Sequence, residues 1–348
     1  MHTGGIGTSL ELYPDVTKAK EKEFRATFEI KGKALYPQMK ILFAMMREIL
    51  MESRLDDEKR LKEILAMLKS RLQMSFQSSG HTTSALRALS YGSPLSKFKD
   101  DTDGIGFYEV VRDIEEHFEE KKAELIQNLK QLSRQIFRVD NVMISYTSSE
   151  DGLAPMEAAF REIKDTLYPE LDGEEIPCVL HGRKRNEGFK TSSKVQYVAR
   201  VGNFIDHGAQ YHGALQILKV ILSYDYLWQN VRVKGGAYGC MSNFNRIGEG
   251  YLISYRDPNL KKTMEVYEGV VDYLKNFTVD ERDMTKYIIG TISNIDRPMN
   301  PAAKGDRSMN LYMNHVSQEM IRTERSQILH AAQKDIRALA AVVEAMLK

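Results

Sequence analysis

Two cysteines, Cys178 and Cys240, are all that this 348-residue chain carries. That is too few for a disulfide framework and fits a reducing compartment. No apolar run approaches the ~20 residues that a membrane-spanning helix requires. The stretch from Met1 to Leu12 lacks the basic and apolar regions of a secretory signal. Charge of one sign is missing too: 49 basic residues stand against 48 acidic ones, a net of +1. No whole-protein field therefore draws in nucleic acid or an anionic membrane. Gly235-Gly-Ala-Tyr-Gly239 lacks the spacing of a phosphate loop or a dinucleotide fingerprint, which excludes both devices. Metal ligands are equally sparse. Cys178 and His181 have no second pair, and the interval from His207 to His212 does not suit one helical face.

What is present suits a globular chain of two domains: 42% of the residues are hydrophobic, 28% are charged, and no low-complexity tract interrupts them. The N-terminus reads as a strand that begins at once, so the chain is expected to be part of something longer. Phe24, Ala26, Phe28 and Ile30 alternate with polar residues as in a half-buried strand, which Gly32 ends. Pro37 suits a first helical turn, and Ile41, Leu42, Met45, Met46, Ile49 and Leu50 make one helical face. The same order returns later. Val195, Tyr197, Ala199 and Val201 alternate, Gly202 interrupts, and Leu215, Leu218, Ile221 and Leu222 form a helical face.

Further elements fill each half. Leu61 to Leu72 and Gly106 to Leu132 are spaced as helices, and Val139 to Tyr146 reads as a strand. Tyr251 to Tyr255 reads as another strand. Asp257-Pro258 then supplies an N-cap and a first-turn proline for a helix that continues through Leu274. Three more helices are expected from Glu281 to the end. Asp151-Gly152, Pro169, Gly173 and Pro177 cluster with a charged stretch that includes Arg183, Arg185 and Lys190. They divide the chain into a first domain (1–155), a linker (156–192) and a second domain (193–348). Sheets with helices packed on one face, twice over, give an α+β architecture.

The run from Arg232 to Gly239 carries the chemistry. It sets a fixed cation, Arg232, six residues before a phenol, Tyr238, around a glycine pair that permits close backbone approach. A phenol keeps its proton at neutral pH and can donate a bond to an oxyanion. A guanidinium stays charged and can give two parallel bonds to carbonyl oxygens. From spacing alone, Arg232 also reads as a surface ion pair, Tyr238 as a strand core residue and Lys234 as a solvated cation.

The words around this motif resemble the C-terminal half of the presequence-protease branch of the M16 (pitrilysin/insulinase) metallopeptidases. The matching stretches are Thr3-Gly-Gly-Ile6, Ser79-Gly-His81, Tyr226-Leu-Trp228, Arg232 to Gly239, Ser254-Tyr-Arg-Asp-Pro258 and Ile288-Ile-Gly-Thr291. Arg232–Gly239 and Ser254–Pro258 are the specific ones. The resemblance implies two related M16-type (LuxS/MPP-like) domains, each a mixed, largely antiparallel sheet with helices on one face. It implies a zinc-dependent peptidase that degrades unstructured oligopeptides in a closed chamber. In that family an inverted zinc motif, His-x-x-Glu-His, sits in the N-terminal half, while the C-terminal half supplies an arginine and a tyrosine. Those map onto Arg232 and Tyr238, with Gly235, Gly236, Ala237 and Lys234 beside the substrate.

His117-Phe-Glu-Glu120-Lys121 puts lysine where the second histidine of that motif would be, so zinc is expected on the missing half and not on this chain. The implied partners are that metal-bearing half and peptides, with neither nucleic acid nor membrane, in the cytoplasm or an organelle matrix. Alone, the chain is expected to be inactive. The alternative is a non-catalytic scaffold or docking subunit of the same fold. His81 matches a family word without a derivable task, and packing or capping is its default reading.

Overall fold

The computed structural model describes residues 3–170 and 185–348. Its first elements, β1 (Ile6–Pro14) and β2 (Phe24–Gly32), pair antiparallel, with Ile6 opposite Gly32 and Pro14 opposite Phe24. The alternation in β2 produces a half-buried strand, with Phe24 against Phe98, Phe28 against Phe137 and Ile30 against the small core that holds Leu42. Tyr13 and Glu29 are buried and joined by a hydrogen bond from the phenol. Leu10 and Phe28, facing each other across the register, are 44% and 39% exposed. Burial, with the carboxylate of Glu29 next in importance, pushes the Tyr13 phenol well above its ordinary pKa.

Helices α1 (Met39–Met51), α2 (Glu58–Ser78), α3 (Gly80–Leu89), α4 (Pro94–Asp103), α5 (Ile105–Glu116), α6 (Phe118–Ile136) and α7 (Leu153–Lys164) follow. The apolar face expected at 41–50 is wider than the core needs. Leu42 and Met46 are buried, whereas Ile41, Met45 and Ile49 are exposed. The single helix expected from Gly106 to Leu132 is two, because the backbone leaves the helical range at His117, which caps α6. His117 is exposed and pairs with Asp113, as suits a charged helix surface. Val139 to Tyr146 forms no strand, and its first residues lie in a turn. Its link to another segment's backbone is the bond from Val139 to Tyr168 beside the Arg138–Tyr168 bridge, and Val142, Met143 and Ile144 stay exposed. Residues 156–164, expected in a linker, belong to α7, whose Ala159 and Ile163 close a small core with Met39, Leu42 and Met46. Cys178, His181 and the basic residues up to 184 lie outside the described residues.

The second sheet has the order β3-β5-β4, with β3 (Ala199–Asn203), β4 (Gly239–Phe244) and β5 (Glu249–Tyr255) all antiparallel. Around it stand α8 (Ala214–Ile221), α9 (Lys261–Glu268), α10 (Val270–Lys275), α11 (Glu281–Ile295), α12 (Pro301–Met313), α13 (Gln318–Leu329) and α14 (Gln333–Leu347). The last stretch thus holds four helices where three were expected. Helix α8 is buried over most of its surface, with Lys219 the exposed residue. Leu215, Ile217, Leu218 and Ile221 are fully enclosed with Phe204, Leu252, Tyr267 and Val343. Each such side chain stabilises the fold by roughly 1.5–3 kcal/mol relative to exposure. Both sheets with their helices make an α+β fold, the two halves meeting through contacts such as Ser96 to Glu249 and Lys22 to Asp206.

Gly202 does not end β3. It pairs with Gly250 inside the sheet, and the C-terminal turn of α14 lies directly on both. A β-carbon on Gly202 would sit 1.8 Å from the carbonyl oxygen of Met346. The helix rests in a slot that only glycine leaves open. Gly202→Ala should therefore cost roughly 1–3 kcal/mol, the usual penalty for overpacking. Gly188→Ala, at a site with nothing near the new methyl, should stay within about 0.5 kcal/mol of the parent. Urea midpoints compare the two, and equal midpoints would remove the slot from this account.

Candidate functional site

The site begins where α8 changes pitch. Beyond Ile221 the chain continues as π-helical turns at 222–226 and 228–233, so the register of side chains shifts before Arg232. The amide of Lys234 still reaches back to the carbonyl of Gln229 at 2.9 Å, and the turn then closes through Gly236 N to Arg232 O and Ala237 N to Val231 O. Both glycines serve this closure. A β-carbon on Gly235 would lie 2.4 Å from the Val231 oxygen, and Gly236 takes a φ of +80°. The backbone that approaches Gly235 is thus its own helix.

Arg232 stacks on the only tryptophan, its guanidinium carbon 3.9 Å from the Trp228 ring centre and 6.0 Å from that of Tyr238. Such contacts fix a cation at a cost in freedom already met by the fold. No carboxylate among the described residues pairs with it, which sets aside the reading as a surface ion pair. Tyr238 is not a core residue either. It immediately precedes β4, its amide donating to the Tyr255 oxygen at 3.0 Å, and it is 67% exposed. Arg232, Val233, Gly236, Ala237, Tyr238 and Arg256 line one open cleft. Ala237 is itself buried, and its backbone forms the floor. Lys234 stays outside, leaning back toward Asn230 at 3.4 Å.

The opposite wall comes from the end of β5. Asp257 is fully buried, and its carboxylate accepts from the Asn259 amide at 2.8 Å and the Thr263 hydroxyl at 2.7 Å. This local turn delays the helix, so α9 starts at Lys261 and Asp257 is an anchor rather than its N-cap. The side chain of Asn259 also grips the Gly235 oxygen at 2.5 Å, tying the two walls together. Beneath Arg232, burial pushes the Cys240 thiol up to about 11, which leaves it inert as a nucleophile.

Three residues of the site, Trp228, Tyr255 and Arg256, lie in matched stretches of the sequence but were given no task there. Trp228 stands one helical turn before Arg232, a spacing that could have flagged it. His81 enters from the other half. Its ring meets Tyr255 edge-on at 4.9 Å, and Tyr255 meets Tyr238 the same way at 5.7 Å. Packing is its visible role, with Gly80 lying directly against Tyr197. The Nδ1 of His81 is buried without a partner, and burial lowers its pKa. An unfolded chain takes up a proton on this ring below pH ~6.5, whereas the fold resists it, so stability falls as the pH drops through that range. His81→Gln should lose less stability than the parent between about pH 7 and pH 5. Urea titrations at the two pH values test this, and identical losses would contradict it.

No group of three or more histidine, cysteine, aspartate or glutamate residues suited to a metal occurs among the described residues, nor does any helix long and apolar enough to cross a membrane. Residues 186–348 match the family model of the PreP C-terminal domain, and residues 1–114 match that of the region associated with peptidase family M16, subfamily C. Protein HypA of Clostridium perfringens is 37% identical over 99% of this chain and 35% of its own length. Presequence protease 1, chloroplastic/mitochondrial, of Arabidopsis thaliana is 27% identical over 98% of this chain and 32% of its own. The chain thus spans about a third of the length of these relatives. In fold, a protease from Helicobacter pylori superposes with a TM-score of 0.61 over 99% of this chain and 80% of that one, at 12% identity. A conserved protein from Enterococcus faecalis V583 gives 0.58 over 98% and 80%, also at 12%. Two family models that together span most of the sequence, and relatives aligned over nearly all of it, place this chain in subfamily C, the presequence-protease-like branch, of the M16 peptidases.

Proposed function

We propose that this chain is the substrate-holding part of a zinc-dependent peptidase that degrades unstructured oligopeptides in a closed chamber. The observation that carries the reading is one open cleft shared by an unpaired guanidinium, Arg232, and an exposed phenol, Tyr238. The Trp228 face holds Arg232 in place, so its two parallel N–H groups can grip carbonyl oxygens of an extended peptide. The Tyr238 hydroxyl donates to the oxyanion that forms when the peptide carbonyl becomes tetrahedral. The Gly236 and Ala237 backbone lets the peptide lie close to the floor, and Lys234 contributes only a distant positive charge.

Peptidases of this family are zinc-dependent in general, but the described residues of this chain offer no ligand set for the ion. The metal ligands would come from another segment, with which this chain forms the chamber. The partial exposure of Leu10 and Phe28 on the β1–β2 hairpin supports such a companion. Proteins named presequence protease act in mitochondria or chloroplasts, and a cytoplasmic or matrix setting is our reading for this one.

Tyr238→Phe in the complete, zinc-loaded enzyme should lower kcat on a fluorogenic peptide by about 10²–10³, the typical loss for one oxyanion donor. Arg232→Lys should cost a comparable factor, since a point charge cannot replace the fork. This chain by itself should cleave nothing. Undiminished turnover in both variants would favour the second role, a non-catalytic scaffold of the same fold.

A further inference from the structure

Arg256 is the second guanidinium of the cleft, and its backbone is the unusual part. Its φ of +48° lies in the left-handed region, which a residue with a β-carbon enters only when its surroundings impose it. The imposing parts are visible on either side. Tyr255 ends β5 in register with Gly239. Asp257 is locked by backbone bonds with Gln196 in both directions, each 2.8 Å, and by its buried carboxylate. The chain must turn sharply between them. Asp257 goes inward, and Arg256 is left exposed on the cleft. Glycine fits such a turn without strain, as it does at Gly236 and Gly248. An arginine here serves something other than the fold.

Its surroundings lack the acidic partner that several other guanidiniums of the molecule have. Arg87 sits on Asp100 and Glu187, Arg246 on Glu324, and Arg325 on Asp296. Arg256 has only the face of Tyr255, its guanidinium carbon 5.4 Å from the ring centre. The cleft lining holds Arg232 and Arg256 and no acid. The nearest carboxylate in sequence, Asp257, is spent on Asn259 and Thr263. Arg232 is committed to Trp228 and Tyr238, whereas Arg256 lies on the opposite wall, its carbonyl oxygen 3.3 Å from the amide of Tyr238.

We propose that Arg256 is a specificity-determining residue that binds a carboxylate of the peptide, within about one or two residues of the carbonyl held at Tyr238. The carboxylate is either an aspartate or glutamate side chain or the free C-terminus; both offer the same planar pair of oxygens to a guanidinium fork. This inference rests on the reading of the Arg232–Tyr238 cleft as a peptide-holding site.

The test uses the complete zinc-loaded enzyme and quenched fluorescent peptides in matched pairs. One set replaces glutamine by glutamate at successive positions around the cleaved bond; the other compares an amidated with a free C-terminus. The parent should favour the carboxylate member of one set by about tenfold or more in kcat/KM, a preference that shrinks at high salt. In Arg256→Gln and Arg256→Gly that ratio should fall to near one, and Arg256→Glu should turn the preference toward lysine at the same position. Arg256→Gly should also unfold at an equal or higher urea concentration than the parent, since glycine relieves the turn. The set that responds identifies the source of the carboxylate. A ratio that survives all three substitutions, or a parent with no preference in either set, overturns the assignment. Tyr238→Phe and Arg232→Lys run in the same assay separate the two levels. If they abolish turnover while the ratio ignores residue 256, only this inference fails. If they leave turnover intact, the peptide-site reading fails and takes this inference with it.

Discussion

The candidate site hangs on one buried carboxylate. Asp257 has no contact with solvent, and a charge in that position persists only when its oxygens are fully engaged. Asn259 and Thr263 engage them, and Asn259 uses its remaining side-chain donor on the Gly235 oxygen. The same residue therefore fixes the end of β5, the left-handed turn at Arg256 and the closure of the π-helical segment that carries Arg232. Loss of that carboxylate would leave the Asn259 amide and the Thr263 hydroxyl without their acceptor. Positioning here is a property of a hydrogen-bonded knot more than of the apolar core below it.

Much of this was legible in the sequence, for identifiable reasons. The buried helix α8 announced itself through Leu215, Leu218 and Ile221, and β5 through Tyr251 to Tyr255. The proximity of Arg232 and Tyr238 followed from a motif whose glycines were correctly marked as special. Their physical role was different, because close approach at Gly235 is made by the Val231 carbonyl. The π-helical pitch was not legible, since no residue type signals an extra residue per turn. The turn at Arg256, inside a matched stretch, escaped for a related reason: a positive φ at arginine is imposed by its neighbours' long-range pairing with Gln196 and Gly239, and local propensity argues against it.

Errors elsewhere share one cause, that periodicity reports polarity and not partners. Val139 to Tyr146 has the composition of a strand, but no neighbouring backbone among the described residues pairs along it. Phe24 to Ile30 forms the expected half-buried strand, yet the most deeply buried pair of the hairpin, Tyr13 and Glu29, stands on its other face. Gly202 looked like a stop signal and is instead an opening for the Met346 turn of α14. In each case the deciding contact comes from a segment distant in sequence.

Charge arrangement carries the functional argument further than composition could. A net charge of +1 says nothing about any ligand, because nearly equal numbers of acids and bases cancel. The distribution is uneven at the scale of the cleft. Arg87, Arg246 and Arg325 have acids within ion-pair distance, while the two guanidiniums beside Tyr238 rest on aromatic faces instead. An aromatic face holds a guanidinium without occupying its N–H groups, which lie in the plane of the fork and remain free to donate. Stacking thus positions the cation and leaves its hydrogen-bonding capacity for a visitor, whereas a carboxylate partner would consume it. That difference is the physical reason to read Arg232 and Arg256 as binding groups and Arg87 or Arg325 as parts of the scaffold.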